Sequence, residues 1–204
     1  MLKVFRSLWM IAVLAGLAGS GVAQKIDSAQ SVSAQKSGVH TANDKVHRFA
    51  DLGSLMNDRL ALMTVVAKYK WNTHAEIEDP VREQKILDGL KSEAEAAGLP
   101  SQWAQHFFRE QIEAAKLVQY QMFAQWHREH RGAFPDTPDL ATEVRPKLDA
   151  LTPELLAAAK AHWSELASGP VTVKSVGEMS VAQQSPQAVT VALLPLMDGS
   201  AEAQ

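Results

Sequence analysis

The chain has 204 residues, with 20 Lys plus Arg against 23 Asp plus Glu, a formal charge of −3 and 46% hydrophobic residues. That is the balance of a soluble globular protein of one domain with tails, and a charge this near zero lacks the basic face a general nucleic-acid binder needs. With 0 Cys, disulfides, thiolate catalysis and cysteine-ligated zinc or iron–sulfur clusters are excluded.

The first two dozen residues differ from the rest. Lys3 and Arg6 make a short basic start, Leu8 to Ala18 is almost wholly apolar, and Gly19-Ser20-Gly21-Val22-Ala23 follows. This is the order of a bacterial secretory signal peptide, with Gly21 and Ala23 suited to the positions before the cut. The apolar run falls short of the roughly 20 residues of a membrane span; the rival reading is an uncleaved anchor. The expectation is a signal peptide over 1–23, cut after Ala23, and a periplasmic or secreted mature protein that keeps no membrane association. Residues 24–44 are rich in Ser, Gln, Lys and Ala without an apolar period, and read as a flexible leader.

From about Lys45 the periodicity is helical. Leu52, Leu55, Met56, Leu60, Met63, Val66 and Ala67 recur at three- and four-residue steps, predicting a first helix from about Ser54, or earlier, to about Trp71. Asp79 as N-cap and Pro80 in the first turn start a second helix, which ends near Gly98-Leu99-Pro100. Ser101 is expected to cap a third, long helix that stops near Arg131-Gly132. After the loop Phe134-Pro135-Asp136-Thr137-Pro138 a fourth helix is expected over about Leu140 to Ala167, with a break near Thr152-Pro153. The class is therefore all-α, a helical bundle with one long central helix and no extensive sheet, and the domain spans 45–167. Residues 168–204 form a C-terminal tail without a clear assignment. Within it Val171-Thr172-Val173 and Ala188 to Leu194 are β-prone or irregular, and Ser200 to Gln204 reads as disordered.

Polar residues sit on the apolar stripes. At about 100° per residue, Met63, Val66 and Lys70 all fall within about 40° of Arg59. A cation facing a core is costly unless an anion pairs with it; the bland alternative is that both snorkel to the surface. On the long helix Gln119 shares its stripe with Phe108, Ile112, Phe123 and Trp126, and a buried amide must find partners. On the second helix Asp79, Glu83 and Ile86 lie together, with Arg82 about 60° away. None of these is specific alone, since Asp79 is also a cap and Arg82 with Glu83 also suits a solvated face. Together they describe a bundle interior holding an Arg, a Lys, a Gln and a carboxylate, which suits a small dianion bearing a neutral polar group. His127 and His130, three apart near a helix end, permit chelation, but surface histidines complementing the helix dipole are the better reading, and no metal site is assigned.

These residues carry a resemblance. Asn57-Asp58-Arg59-Leu60, Tyr69-Lys70-Trp71, Ile77-Glu78-Asp79-Pro80-Val81-Arg82-Glu83 and Phe107 to Gln119 resemble the helical, AroQ-type chorismate mutases. With the signal peptide, the likeness is to the secreted, single-function subclass, over about Ala50 to Ala167. It implies a cofactor-free rearrangement of chorismate to prephenate. It also implies roles: Arg59 gripping a substrate carboxylate, Lys70 and Gln119 donating to the ether oxygen, Glu83 accepting from the ring hydroxyl. Asp79 and Arg82 line the site at the start of the second helix, and Arg145 arrives after the Pro-rich loop as a further Arg. It implies no partner but the small-molecule substrate and, by analogy, a homodimer.

Departures from the family pattern are equally visible. Ala115 stands one turn before Gln119, where relatives often place a Ser or Thr that touches a carboxylate; that contact is lost, taken by water or supplied by Lys116. A disulfide of the C-terminal half, which such relatives carry in some cases, cannot form here. The competing classes are a non-catalytic helical periplasmic module binding a small dicarboxylate or a protein, and a helical chaperone or scaffold with an exposed apolar groove.

Overall fold

The computed structural model describes residues 48–169 and 171–198. The signal peptide, the flexible leader and the disordered end expected above lie outside the described residues.

Two helices, α1 (Ala50–Ala61) and α2 (Met63–Thr73), follow one another across Leu62. Leu62 keeps right-handed helical angles, and its N–H reaches Asp58 O at 3.3 Å while Val66 N reaches Leu62 O at 3.1 Å. The i to i−4 ladder thus carries across the joint, and the expected stripe from Leu52 to Val66 stays on one side. α2 closes at His74, in the left-handed conformation at φ 54°, where Ala75 N bonds to Lys70 O at 3.0 Å.

α3 (Pro80–Ala97) starts as its sequence predicts. The Asp79 side chain accepts from Arg82 N at 3.2 Å, Glu83 returns the favour to Asp79 N at 3.2 Å, and Pro80 needs no N–H partner. It ends at Gly98, whose φ of 72° suits a residue without a β-carbon. The long helix α4 (Ser101–Arg128) has 28 residues, about 42 Å of rod. Ser101 is not its cap: Pro100 takes that position, its carbonyl accepts from Ala104 N at 3.1 Å, and Ser101 lies inside the first turn.

The fourth helix differs from expectation in two ways. It opens with a π-helical turn over Leu140–Val144, capped by Asp139, before α5 (Arg145–Ala161) begins. It does not break at Pro153, which lies within α5. Both Pro153 and Asp149, whose carbonyl loses its usual donor there, are exposed, so water can replace the missing bond. The interruption falls instead at His162, ahead of the short α6 (Trp163–Leu166).

The tail corrects the β-prone reading. It makes two 3₁₀ turns, Val173–Val176 and Ser180–Gln183, and then α7 (Pro186–Met197), which lies along α4. Ala188, Val189, Ala192, Leu193 and Leu196 are buried, a helical stripe that local β-preference concealed. Gln111, fully buried on α4, donates to Ala192 O at 2.8 Å and joins the two helices. Among the described residues there is no strand.

The core runs along α4. Trp103 stacks on Phe107 with ring centroids 5.2 Å apart, and both are buried against Leu52, Leu90, Leu155 and Leu193. With that end closed by apolar packing, the polar residues of the stripes gather further along the bundle.

Candidate active site

Five helices meet at one cavity of about 100 Å³. Arg59, Lys70, Asp79, Arg82, Glu83, Ala115, Gln119 and Arg145 all line it, between apolar walls that include Met63, Ile86 and Ile112. Every site residue expected from the sequence is therefore in one place. Arg59 comes from α1, Lys70 from α2, the Asp79 to Glu83 group from the start of α3, Ala115 and Gln119 from α4, and Arg145 from the first turn of α5.

Arg59 is 6% exposed, its Nε has no hydrogen-bond partner, and its guanidinium stands 5.8 Å from the Phe108 ring centre. Burial pulls its pKa down to about 10, against the stabilising charge of Asp149 and with the repulsion of Arg82. It remains a cation at neutral pH, aimed at a cavity without a fixed counterion. Lys70 is half-buried and donates from Nζ to Ile77 O at 2.7 Å. Burial lowers its pKa too, Asp79 and Glu83 oppose the shift, and Arg145 adds to it.

Gln119 is 4% exposed. Its Nε2 donates to Ala115 O at 3.0 Å and lies 3.8 Å from Met63 Sδ, while Oε1 has no partner. An amide buried with an unused acceptor is expensive in a finished core and reasonable in a binding site. Arg145 is half-buried, with no ion-pair or hydrogen-bond partner for its guanidinium among the described residues. Arg82 is drawn toward Asp149, 3.4 Å away.

Sequence reasoning gave Lys116 only the part of a substitute for the absent hydroxyl at Ala115. The structure gives it a different setting. Its ammonium lies 2.7 Å from Glu113, 3.1 Å from Glu78 and 3.3 Å from Glu83. Burial alone would lower its pKa, but these carboxylates outweigh it and raise the pKa above its ordinary value. Lys116 is thus shared among three carboxylates and helps to orient Glu83. Its side of the cavity carries no surplus positive charge, which sits instead with Arg59, Lys70 and Arg145. The signal missed in the sequence was the trio of Glu78, Glu83 and Glu113, whose proximity depends on how α3 packs on α4.

The arrangement can bind two anionic groups between guanidinium and ammonium donors. It also presents an ammonium and an amide to whatever polar atom lies between them. His127 and His130 stand apart from it near the end of α4, where His127 packs 4.7 Å from the Trp71 ring. Among the described residues no three His, Asp or Glu side chains are placed to hold a metal ion.

The comparisons with known proteins fit this geometry. The model of the family "Chorismate mutase type II" matches residues 50–120, the stretch from α1 through Gln119. A secreted chorismate mutase of Mycobacterium tuberculosis is 29% identical over 125 residues, which make up 61% of this chain and 62% of that protein. A monofunctional chorismate mutase of Enterobacter agglomerans is 37% identical over 107 residues, 52% of this chain and 58% of the other. The chain thus spans about three-fifths of the length of these curated relatives. The crystal structure of chorismate mutase from Burkholderia thailandensis superposes with a TM-score of 0.61 at 35% identity, over 74% of this chain and 97% of that one. With the sequence and the helical fold both matched, the chain belongs to the chorismate mutase type II family.

Proposed function

We propose that this protein converts chorismate to prephenate, a Claisen rearrangement within one molecule, and does so outside the cytoplasm. The observation that carries the reading is the convergence of Arg59, Lys70, Gln119 and Arg145 on one cavity with Glu83. One chain supplies all of these residues.

The chemistry asks for these groups. Chorismate carries two carboxylates, and Arg59 and Arg145 take one each, with the planar fork of a guanidinium matching the carboxylate edge. Holding both folds the flexible enolpyruvyl arm over the ring and brings the two carbons that bond within reach. As the C–O bond breaks, negative charge grows on the ether oxygen. Lys70 and Gln119 donate to that oxygen and bind it more tightly in the transition state than in the substrate. Gln119 serves because its amide turns from Ala115 O toward a better acceptor. Glu83, held by Lys116 and Asp79 N, accepts from the ring hydroxyl with its remaining lone pairs. No proton changes hands, so no residue acts as general base.

Export rests on the order of the N-terminal residues and on relatives named as secreted. Among the described residues no helix is long and apolar enough to cross a membrane.

The test is direct. Purified protein should deplete chorismate absorbance without added cofactor, and the Lys70→Ala variant should be slower by about 10²–10³. A rate no faster than the spontaneous reaction would remove the proposal. Cell fractionation that leaves the protein in the cytoplasm would remove its second half.

A further inference from the structure

Asn72 does not line the cavity, yet its side chain serves one loop with three hydrogen bonds. Nδ2 donates to Phe134 O at 2.8 Å and to Thr137 Oγ1 at 2.9 Å, and Oδ1 accepts from Phe134 N at 2.8 Å. The amide therefore satisfies both backbone groups of a residue 62 positions away. Trp71 adds a bond from Nε1 to Gly132 O at 3.3 Å. This loop has no helical ladder of its own, so its backbone groups depend on such side chains or on water.

The loop leads straight to the candidate site. Thr137 is followed by Pro138 and by Asp139, which caps the π-helical turn with bonds from Ala141 N at 2.9 Å and Thr142 N at 2.8 Å. The turn delivers Leu140 and Arg145 to the cavity wall. Buried Leu140 and Val144 hold its apolar side to the core. Apolar contact fixes depth but tolerates sliding and rotation. Arg145 makes no hydrogen bond or ion pair among the described residues, and Asp139 acts on it only as a nearby charge, so its place depends on the backbone that carries it. Asn72 belongs to the same last turn of α2 as Lys70.

We infer that Asn72 is a positioning residue: by clamping residues 134–137 to the end of α2, it sets the place of the Arg145 guanidinium opposite Lys70. The inference rests on the reading of the cavity as the chorismate site. An amide is required because the clamp needs donors and an acceptor on one short side chain. The clamp therefore acts through the carboxylate that Arg145 holds, and not through the two donors to the ether oxygen.

Chorismate kinetics of Asn72→Ala, Arg145→Ala and the double variant test it, beside wild type and Lys70→Ala. Asn72→Ala should lower kcat/KM about tenfold, with most of the loss in KM. The double variant should match Arg145→Ala, because a missing guanidinium leaves nothing to position. Effects that add in the double variant, an unchanged KM, or a fall in kcat at constant KM would each overturn the inference. If Asn72→Ala does not fold, Thr137→Val removes one bond of the clamp; its smaller rise in KM should likewise vanish in the Arg145→Ala background, and persistence there overturns the inference. An inactive wild type would strike the underlying reading, whereas an active wild type with additive variants strikes only the role of Asn72.

Discussion

The Lys70 ammonium donates to Ile77 O at 2.7 Å, across the reversal that joins α2 to α3. One of its three N–H groups is thereby committed to the protein, and the ammonium is aimed before any ligand arrives. The other two are left for the cavity. An oriented, half-buried charge needs little rearrangement at the moment of reaction.

That setting fixes a pH dependence. Burial lowers the Lys70 pKa below the ordinary 10.5, and only the charged form stabilises the ether oxygen. The alkaline limb of kcat/KM should therefore fall below the range of an ordinary lysine. A bound dianion favours the ammonium, so the limb of kcat should lie at higher pH than that of kcat/KM. Stability moves the other way. Between the two pKa values the unfolded chain binds more protons, so this group's contribution to folding improves as pH rises there. Rate profiles from pH 6 to 11 check the order of the limbs; coincident limbs would contradict the role of Lys70.

Gln119 offers a sharper pH experiment. Its neutral amide donates at any ordinary pH, whereas a carboxyl in its place donates only when protonated. Gln119→Glu should keep turnover at acidic pH and lose it as the carboxyl ionises, with the rate falling about tenfold per pH unit above that point. Burial raises the new carboxyl's pKa, and nearby Arg59 and Lys70 lower it. An activity profile matching wild type would show that Gln119 does not donate to the reacting oxygen.

Ala115 marks a contact that this chain lacks. It is buried in the cavity wall one turn before Gln119, and Lys116 beside it is held by Glu78, Glu83 and Glu113. Ala115→Ser places a hydroxyl facing the same space. One added hydrogen bond to a substrate carboxylate is worth about 1 kcal/mol, so KM should fall about fivefold with kcat little changed. Steady-state kinetics check this; an unchanged KM would place the carboxylate elsewhere in the cavity.

Gly53 holds the C-terminal segment. A β-carbon there would overlap the Val176 carbonyl, and Phe49 N bonds to Ser175 O at 2.9 Å beside it. Gly53→Ala should push the 3₁₀ turn off α1 and destabilise the fold by about 1–3 kcal/mol. At this size that lowers Tm by about 2–4 °C per kcal/mol, read by thermal denaturation. The site residues lie on other surfaces, so KM for the folded protein should not move.

Much of this protein follows from local rules. The 3.6-residue period puts Arg59 and Lys70 on one face, Asp79 and Pro80 start α3, and the stripe through Phe108 and Ile112 carries Gln119 inward, because helix geometry fixes neighbours three to eleven residues apart. What local rules do not reach is the choice of partner across the bundle. Lys116 and Arg145 are equal as cations in the sequence. Packing of α3 on α4 surrounds Lys116 with carboxylates, and the loop held by Asn72 leaves Arg145 free for a ligand. The same holds for the tail, where β-branched Val189, Thr190 and Val191 become helical because the apolar side of α4 needed a cover. Pro153 passes through α5 because the carbonyl it orphans faces water. The sequence by itself determined which side chains share a helix face and where each helix starts. Only the tertiary structure decided which charges are neutralised and which stay available, because that depends on distances between residues far apart along the chain.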